Sequence, residues 1–409
     1  MANFLCRFCN SHLEHVFLDL GKTPSANSYL KQEELLEEKT YSLCVYICEE
    51  CFLVQIPEIL TPDELFSDYA YFSSFSDIWL DHAKKYVEMM LKRFNFNEES
   101  YVIEIASNDG YLLKNFVKHK IPVLGIEPAS NIAKIATKNG IPTLEKFFNT
   151  DCANELKEKN QQADLLLGNN VLAHVPNINN FIAGMKILLK PNGIITMEFP
   201  HILQLIKQNQ FDTIYHEHFS YFSFFVIQKI FLSKGLTIFD VEEIPTHGGS
   251  LRIFAKHSEN KLFDITENVE NLIKKEKQMG LDNYTVYSNF SQKVKNVKNG
   301  LNQFLEKAEL ERKSTVCYGA PAKGNTLLNF CRITNEQIKY TVDRSPHKQG
   351  LFLPGSHLPI KSPKAILETK PDYIIILAWN LKDEIMEQMK DVRIWGGKFV
   401  VPIPELKIY

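Results

Sequence analysis

No stretch of the sequence is apolar enough to cross a membrane, and no excess of positive charge marks the chain as a nucleic-acid binder. The 46 Lys and Arg residues are balanced by 49 Asp and Glu residues, which gives a net charge of −3, whereas proteins that coat phosphates are normally basic. The apolar run from Tyr373 to Trp379 is much shorter than the roughly 20 residues of a membrane span and is typical of a buried strand. The first residues lack the basic and apolar segments of a secretion signal. We therefore expect a cytoplasmic protein, a monomer or a weak homo-oligomer, that binds neither nucleic acid nor membrane.

Length and composition indicate a globular protein of more than one domain. At 409 residues the chain exceeds a single hydrophobic core, and a prior of roughly 150 residues per domain gives two or three domains. Hydrophobic residues make up 44% and charged residues 23% of the sequence. These fractions disfavour a disordered, collagen-like or coiled-coil chain.

Five of the eight cysteines lie within the first 51 residues. They include two Cys-x-x-Cys pairs, Cys6 with Cys9 and Cys48 with Cys51. In a cytosolic chain this spacing indicates metal binding rather than disulfides, and four thiolates close a tetrahedral zinc shell with no open position. We predict a structural zinc site in a module too small to rely on its own hydrophobic core. Cys44 is an alternative to Cys48 as a ligand.

From about residue 100 the sequence alternates between short apolar runs and amphipathic stretches. Strands are predicted at 101–105, 122–126, 163–168 and 193–199 with helices between them, and strand-like runs at 236–241 and 251–256 close the same sheet. After a stretch rich in Lys and Glu, a second strand–turn–helix series begins at Thr315. Such alternation is typical of parallel sheets covered by helices on both faces. The predicted fold class is therefore α/β, with two separate α/β domains.

The first α/β domain carries an acidic residue where a nucleoside-type cofactor would bind. In an open parallel sheet, ligands lie beyond the carboxyl ends of the strands, and an acidic residue at the end of the second strand accepts hydrogen bonds from ribose hydroxyls. Glu127 holds that position, 23 residues after Glu104. The turn after the first strand lacks the Gly-x-Gly-x-x-Gly pattern that receives a pyrophosphate. A ligand with a ribose but no phosphates fits better, and S-adenosylmethionine is the obvious candidate.

Five segments of the chain carry a specific family resemblance. They are EIASNDG at 104–110, GIEPAS at 125–130, YHEHF at 215–219, HGGSLR at 247–252 and YGAPAK at 318–323. Together they resemble the nucleotide-sugar C-methyltransferases, which make branched deoxysugars such as those of macrolide and aminocoumarin antibiotics. The resemblance implies an N-terminal zinc module, a class I S-adenosylmethionine methyltransferase domain with a Rossmann-like fold, and a second Rossmann-like domain that binds the nucleotide sugar. The predicted boundaries are 1–65 for the zinc module, 66–257 for the methyltransferase domain, 258–312 for a helical connector and 313–409 for the C-terminal domain.

The implied reaction is methylation of the carbon next to the ketone, with C3 favoured, of an NDP-4-keto-6-deoxyhexose linked to dTDP or GDP. A C–H next to a ketone is acidic enough to give an enolate, and a base with a pKa near 7 favours histidine. The pKa of an imidazole, about 6.5, still lies many units below that of the sugar C–H. Donors aimed at the enolate oxygen must therefore supply much of the driving force.

The resemblance assigns the base to His218, the last residue of the Tyr-His-Glu-His motif. It makes Glu217 and Tyr215 active-site groups that hold the sugar or polarise its ketone, and it makes Tyr69 a contact to the substrate. His174 follows the fourth strand, where methyltransferases of this fold place active-site groups. It is the rival base or a hydrogen-bond partner of the enolate.

The remaining predicted site residues form two sets. Those expected to bind the cofactor are Glu104, Ser107, Asn108, Asp109, Gly110, Glu127, Pro128, Asn131, Phe148 and Asn169. Those expected to bind the substrate are Tyr71, His247, Gly248, Gly249, Arg252, Lys323, Asn325, Trp379 and Asn380. In the second set, Lys323 supplies a point charge beside a helix N-terminus that can receive a diphosphate.

Two other enzyme functions stay open at this point. One is O- or N-methylation of the same class of substrate, which would leave the sugar C–H bonds intact. The other is an NAD-linked sugar dehydrogenase or epimerase that uses the turn at 318–323, although the missing glycine pattern speaks against it.

Overall fold

The computed structural model describes residues 4–61, 64, 74 and 77–409. The chain divides into two compact units, each assembled from three stretches of sequence. Unit 1 consists of Met1–Leu13, Cys48–His201 and Phe219–Asp282, and unit 2 of Glu14–Ile47, Ile202–His218 and Asn283–Tyr409. The two Cys-x-x-Cys pairs therefore belong to unit 1, whereas the segment between them belongs to unit 2. The domain boundaries given above stay predictions.

The described strands are between two and twelve residues long. They are β1 (His15–Thr23), β2 (Tyr41–Ile47), β3 (Val54–Gln55), β4 (Val102–Ile105), β5 (Val123–Ile126), β6 (Thr143–Leu144), β7 (Ala163–Asn169), β8 (Leu189–Pro200), β9 (Ser220–Tyr221), β10 (Leu236–Ile244), β11 (Ser250–His257), β12 (Thr315–Tyr318), β13 (Thr341–Val342), β14 (Ile360–Lys361), β15 (Tyr373–Ile376), β16 (Lys398–Val401) and β17 (Lys407–Ile408). Every residue of β4, β5 and β12 is buried, as expected for strands covered on both faces.

The helices alternate with these strands. They are α1 (Asp77–Phe94), α2 (Leu113–Lys118), α3 (Ser130–Lys138), α4 (Thr150–Glu158), α5 (Ile178–Leu188), α6 (Ile202–Lys207), α7 (Phe224–Ser233), α8 (Glu267–Gln278), α9 (Tyr284–Ser288), α10 (Phe290–Leu310), α11 (Ala322–Cys331), α12 (Lys364–Thr369) and α13 (Lys382–Gln388). None of the helices in the described part of the chain is long and apolar enough to cross a membrane. Polar side chains fix several helix starts; for example, the Asn149 side chain accepts a hydrogen bond from the backbone N–H of Cys152 at the start of α4, which satisfies a donor that the helix itself leaves unpaired.

The main sheet of unit 1 has seven strands in the order β10-β11-β8-β7-β4-β5-β6. The five strands from β8 to β6 are parallel, and β11 is antiparallel to both β8 and β10. The chain moves outward from β4 through β5 to β6 and then returns to the other side at β7. This reversal creates a crevice at the carboxyl ends of β4 and β7, where doubly wound sheets bind ligands. The predicted α/β fold is confirmed, including the two late strands that close the sheet.

Helix α1 covers one face of this sheet. Its residues Ala83, Tyr86, Val87 and Met90 are buried in a core cluster with residues of β4, β7 and α2. These positions recur at spacings of three and four, which places them on one side of a helix. The packing fixes the start of α1 relative to the crevice, and that start carries Trp79 and His82.

The sheet of unit 2 has six strands in the order β14-β13-β12-β15-β16-β17. The first five are parallel, and β17 pairs antiparallel with β16. Here the order reverses between β12 and β15, so a second crevice lies at the carboxyl ends of these two strands. The predicted second α/β series is therefore present.

The segment between the Cys-x-x-Cys pairs forms an antiparallel strand pair in unit 2. Strands β1 and β2 pair from His15 with Ile47 to Thr23 with Tyr41. The ring of Phe17 on β1 stacks on Phe290 at the start of α10, with ring centroids 5.1 Å apart. Helix α10 buries its apolar stripe within unit 2.

Candidate active site and zinc site

The turn after β4 brings four predicted cofactor-binding residues to the carboxyl edge of the unit 1 sheet. Ser107, Asn108, Asp109 and Gly110 are all buried. Ala106 and Asn108 have left-handed backbones, with φ of 56° and 49°, which residues with a side chain rarely adopt. Such conformations persist where the surroundings hold them, and they cluster at ligand sites.

This turn is fastened to β5. The backbone N–H of Ala106 donates to the carbonyl oxygen of Ile126 at 2.8 Å. The side chain of Ser107 packs against Gly125, where an added Cβ would lie 2.3 Å from the Ser107 Oγ. A glycine at position 125 is therefore what allows the turn to approach the second strand.

Glu127 lies at the end of β5, as predicted, and braces the same turn. Its Oε2 accepts the backbone N–H of Asn108 at 2.9 Å, and its Oε1 accepts that of Ala129 at 3.0 Å. Burial raises the pKa of Glu127. The two hydrogen bonds act in the opposite direction but have a smaller effect. Each carboxylate oxygen has a second lone pair, so the residue can still accept bonds from two ribose hydroxyls.

Glu104 is a buried acid on β4. Its side chain is 1% exposed, and neither carboxylate oxygen has a hydrogen-bond partner among the described residues. Burial, followed by repulsion from Glu127, Asp109 and Glu198, raises the pKa of Glu104 well above its ordinary value. An uncompensated buried acid is costly, so this position needs a cationic or hydrogen-bonding ligand.

The orphaned polar atoms at this edge fit S-adenosylmethionine. Besides those of Glu104, the buried atoms without a hydrogen-bond partner in the described part of the chain include the Ser107 Oγ, the Asp109 Oδ1 and both amide atoms of Asn169. The excess of carboxylates matches a ligand that carries an ammonium and a sulfonium, and the hydroxyl and amide groups match its polar amino-acid end. A pyrophosphate-bearing dinucleotide would meet repulsion here.

Three further predicted cofactor residues surround the crevice in unit 1. Pro128 follows Glu127, and Asn131 is half-buried in the first turn of α3. The ring of Phe148 is buried and meets that of Phe181 edge-on, with centroids 5.3 Å apart. This packing gives Phe148 a place in the core, and its contact with the adenine stays a prediction.

The end of β7 and the β10–β11 turn carry the other predicted residues of unit 1. His174 is half-buried and ends the short turn that follows β7. His247 has a left-handed backbone with φ of 54°, and Gly248 and Gly249 also have positive φ, of 91° and 116°. The His247 Nε2 lies 3.3 Å from the amide nitrogen of Asn170. These three successive residues with positive φ form a tight turn. Glycine adopts such a backbone without strain, whereas His247 does not.

Arg252 is tied into an ion-pair network. Its Nε and one terminal nitrogen lie 2.7 and 2.6 Å from the Glu198 Oε1 on β8, and the other terminal nitrogen lies 2.8 Å from Glu242. The Glu198 Oε2 lies 2.8 Å from the His82 Nε2. Burial would raise the pKa of Glu198, but His82 and Arg252 outweigh it and lower the pKa. The predicted contact of Arg252 with substrate stays a prediction, because these pairs already give the guanidinium a role within unit 1.

The predicted base lies in unit 2 with its imidazole orientation set by the backbone. The His218 Nδ1 lies 2.8 Å from the carbonyl oxygen of Thr213. A carbonyl can only accept, so in the neutral ring the proton is on Nδ1 and the lone pair is on Nε2. The ring of Tyr215 packs against that of His218 with centroids 4.0 Å apart, which limits rotation of the imidazole.

Glu217 is the most buried member of the Tyr-His-Glu-His motif. Its side chain is 2% exposed, and the amide nitrogen of Asn27 lies 2.8 and 3.0 Å from its two carboxylate oxygens. Burial raises the pKa of Glu217 to about 7, against the hydrogen bond from Asn27. His216 lies with its Nε2 3.2 Å from the carbonyl oxygen of Ser42, so it anchors the motif to unit 2.

The carboxyl edge of the unit 2 sheet holds the predicted nucleotide-sugar residues. Lys323, at the start of α11, donates to the Asn380 side-chain oxygen at 2.6 Å and lies 4.5 Å from the centre of the Trp379 ring. The Trp379 indole is buried and donates to Asp212 at 2.7 Å. Burial raises the pKa of Asp212 to about 6, although Lys323 and the indole both act to lower it. Asn325 is fully buried and donates to the backbone at Ala26.

The four predicted zinc ligands come together in unit 1. The sulfur atoms of Cys6, Cys9, Cys48 and Cys51 all lie within 4.8 Å of one another, with 3.6 Å between Cys6 and Cys51 and 3.4 Å between Cys9 and Cys48. A tetrahedral site with Zn–S bonds of about 2.3 Å has edges of about 3.8 Å, so the set fits zinc. Cys44 is not part of any such group in the described residues. Cys48, and not Cys44, therefore completes the set of four zinc ligands.

The first Cys-x-x-Cys loop is hydrogen-bonded to other segments of unit 1. Arg7, between the first two ligands, donates to the carbonyl oxygens of Pro176 and Ile56. The amide of Asn179 on α5 donates to the carbonyl oxygens of Arg7 and Phe8 at 3.0 and 2.8 Å. These hydrogen bonds connect the four-cysteine site to other segments of unit 1, so the site stabilises more than its own loops.

Two predicted substrate contacts, Tyr69 and Tyr71, lie outside the described residues. Four other residues lie in these sites in the structure and were not predicted from the sequence. They are Asn27 beside Glu217, Asp212 beside Trp379, and His82 with Glu198 beside Arg252. Only Glu198 gave a sequence signal, since a carboxylate in an otherwise apolar strand needs a partner.

The chain is similar to known proteins along almost its whole length. Three family models match successive parts of the chain: a zinc binding domain at 6–66, a methyltransferase domain at 79–241 and a C-methyltransferase C-terminal domain at 245–404. The C-methyltransferase NovU of Streptomyces niveus is 33% identical over 404 residues, which cover 98% of this chain and 96% of that protein. The ubiquinone biosynthesis O-methyltransferase of Bartonella bacilliformis is 29% identical over 98 residues, 23% of this chain and 38% of that protein. A solved structure of magnesium protoporphyrin IX methyltransferase from Synechocystis is 14% identical, with a TM-score of 0.34, over 47% of this chain and 88% of that one.

Proposed function

This chain belongs to the C-methyltransferase family, and we propose that it methylates the carbon next to the ketone, C3, of an NDP-4-keto-6-deoxyhexose. It is an S-adenosylmethionine-dependent methyltransferase with a zinc-binding domain. Family membership sets aside the O- and N-methyltransferase and the dehydrogenase alternatives. What remains to be argued is the identity of the acceptor and of the base.

The crevice of unit 1 supplies the groups that would hold the cofactor. Glu127 would bind the ribose hydroxyls, and Glu104 with Asn169 would bind the charged amino-acid end, since these atoms are buried without partners in the described chain. When bound, S-adenosylmethionine supplies an electrophilic methyl group on its sulfonium. The protein therefore does not have to activate the methyl group, and its own task is to make the acceptor carbon nucleophilic.

The observation that carries the proposal is the fixed orientation of His218. Because Nδ1 donates to the backbone at Thr213, Nε2 presents the lone pair that removes a proton. The proton moves from the sugar carbon to Nε2, the C–H bond electrons pass to the ketone oxygen through the new C=C bond, and the imidazole becomes a cation. The carbonyl at Thr213 then stabilises that cation through the same hydrogen bond.

The enolate needs a hydrogen-bond donor, and Tyr215, whose ring packs against that of His218, can supply one. A neutral phenol can donate to a developing negative oxygen without changing its own charge. His174 is the rival for both roles, since it follows β7 in unit 1 and is half-buried. We assign the base to His218 because its tautomer is set by a hydrogen bond that suits proton removal.

The nucleotide part of the acceptor suits the carboxyl edge of the unit 2 sheet. Gly319 has φ of 96°, so the turn after β12 follows a path open to glycine, and α11 begins directly after it. Two ammonium groups flank this turn: Lys323 on α11 and Lys348, which donates to the carbonyl oxygen of Ala320 at 2.8 Å. Positive charge beside a helix start favours a diphosphate. We expect the reaction in the cytoplasm, where thiolates stay reduced for zinc.

The experiment that tests this function is product analysis with a panel of dTDP- and GDP-linked 4-keto-6-deoxyhexoses. A mass gain of one methyl group, with a proton spectrum showing a new C–CH₃ and the loss of the C3 hydrogen, supports the proposal. Methylation of a hydroxyl oxygen, or no methyl transfer to any member of the panel, would overturn it.

A further inference from the structure

We propose that Asn27 is a positioning residue that holds Glu217 in the carboxylate form, so that Glu217 accepts a hydrogen bond from a hydroxyl or amino group of the sugar. This inference rests on the proposed function and refines it, because it gives Glu217 one of the two roles, holding the sugar or polarising its ketone. It also names a requirement of the substrate, which is a hydrogen-bond donor on the sugar ring. Both residues belong to unit 2.

The contact between Asn27 and Glu217 involves both carboxylate oxygens. One amide nitrogen of Asn27 lies 2.8 Å from one carboxylate oxygen of Glu217 and 3.0 Å from the other. An amide nitrogen can only donate, and at these distances one N–H of Asn27 is shared between the two accepting oxygens of Glu217. The reversed amide would place its oxygen against both carboxylate oxygens, which is repulsive unless Glu217 is protonated. The contact as built therefore favours the ionised acid.

Asn27 lies on a loop that is hydrogen-bonded on both sides of it. The carbonyl oxygen of Ala26 accepts the buried amide of Asn325 at 2.7 Å. Two residues after Asn27, the Tyr29 hydroxyl donates to the carbonyl oxygen of Ala320 at 2.6 Å. A side chain on such a fastened loop loses little further freedom when it binds its partner, so its hydrogen bonds are worth more than those of a mobile residue.

Glu217 lies in a buried environment. Its burial raises its pKa to about 7, and the hydrogen bond from Asn27 is the opposing effect. The titratable groups beside it are His216 and His218 in the chain and Tyr29, whose own pKa is raised by burial and is influenced by Lys348, Asp343 and Glu217. Near neutral pH the acid therefore lies close to its midpoint, and the hydrogen bond from Asn27 shifts it toward the charged form.

The chemical consequence is a division of roles within the motif. An ionised carboxylate can accept the hydrogen of a sugar hydroxyl but cannot donate to a ketone oxygen. Polarisation of the ketone then falls to Tyr215 or to another donor. A sugar without a donor at the position facing Glu217 would lose one charge-assisted hydrogen bond, which is a basis for discriminating against that substrate.

The test combines two readouts on Asn27→Ala and Asn27→Asp, with Ser28→Ala as the matched control in the same loop. The first readout is the pKa of Glu217 by carbon-13 NMR of protein labelled at the Glu carboxyl carbons, with the signal assigned by its loss in Glu217→Gln. The second is the pH dependence of kcat/KM for methyl transfer to the acceptor found in the panel above. Ser28 is exposed, so its variant should match the unmodified protein in both.

We expect Asn27→Ala to raise the pKa of Glu217 by about one unit, and Asn27→Asp to raise it further, because removing a donor destabilises the charged form. The kcat/KM of Asn27→Ala should fall by about tenfold at pH 6 and recover to within about twofold at pH 8.5. An unchanged pKa, a loss of activity equal at all pH values, or activity that extends to higher pH would each overturn the proposal. The NMR readout needs no substrate, so it stays decisive if the acceptor panel fails and the proposed function falls.

Discussion

The buried carboxylate of Glu276 lies 2.6 Å from the Nε2 of His201 and also binds the start of α7. Both side chains are 1% exposed. Glu276 accepts the backbone N–H groups of Phe224 and Phe225 at 2.6 and 2.8 Å, where a helix leaves its donors unpaired and favours negative charge. One side chain of α8 thus satisfies three donors inside unit 1.

We predict that Glu276→Ala lowers the free energy of unfolding of the protein by about 3 kcal/mol, because it leaves two backbone donors and an imidazole buried without a partner. Urea denaturation measures this directly. Glu270→Ala is the matched control on the same helix, since Glu270 forms only an exposed pair with Lys274 at 3.8 Å, and it should change the stability by less than about 0.5 kcal/mol. Equal effects of the two substitutions would contradict the role of Glu276.

The pH dependence of stability should report on Glu104. Burial raises the pKa of Glu104 in the folded chain above that of the unfolded chain. The folded state then binds the proton more tightly, so the free energy of unfolding is highest at low pH and falls as the pH rises through the folded pKa. We expect Glu104→Gln, without cofactor, to lose less stability than the unmodified protein between pH 5.5 and pH 8 in urea denaturation. The same loss in both proteins would show that Glu104 does not titrate in this way.

Zinc content should separate Cys9 from Cys44. Cys9→Ser removes a ligand of the four-sulfur group, and we expect its zinc content to fall below one ion per chain with a large loss of thermal stability, since structural zinc contributes directly to folding. Cys44→Ser should keep one zinc ion per chain, because Cys44 lies outside the group. Elemental analysis of both purified variants measures this. Loss of zinc from Cys44→Ser would contradict the ligand set.

Features that depend on short stretches of sequence could be predicted. The two Cys-x-x-Cys pairs, the buried strands β4 and β5, and Glu127 at the end of β5 each combine a residue type with a local spacing. The strand ends that lie beside Glu127 follow from the fold class, because a doubly wound sheet brings the ends of its central strands together. The choice of Cys48 over Cys44 needed the structure, since both spacings from Cys51 are short.

Features that depend on contacts between distant residues could not be predicted. Asn27 and Glu217 are 190 residues apart in the chain, and nothing local to Asn27 indicates its partner. The left-handed backbone of Ala106 is likewise set by its bond to β5 rather than by its own preference. The Tyr-His-Glu-His motif belongs to unit 2 because it packs against residues that are distant in the chain. Such packing leaves no periodic pattern in the sequence.

The measurement that tests the central claim most directly is deuterium exchange at the acceptor carbon. The purified protein is incubated in deuterated water with S-adenosylhomocysteine and the 4-keto sugar nucleotide, so that a proton can be removed but no methyl group can be transferred. We predict exchange at C3 with the unmodified protein, a loss of at least about a hundredfold in its rate in His218→Gln, and affinity of that variant for S-adenosylmethionine within about twofold. Exchange or methylation at a normal rate in His218→Gln would show that His218 is not the base.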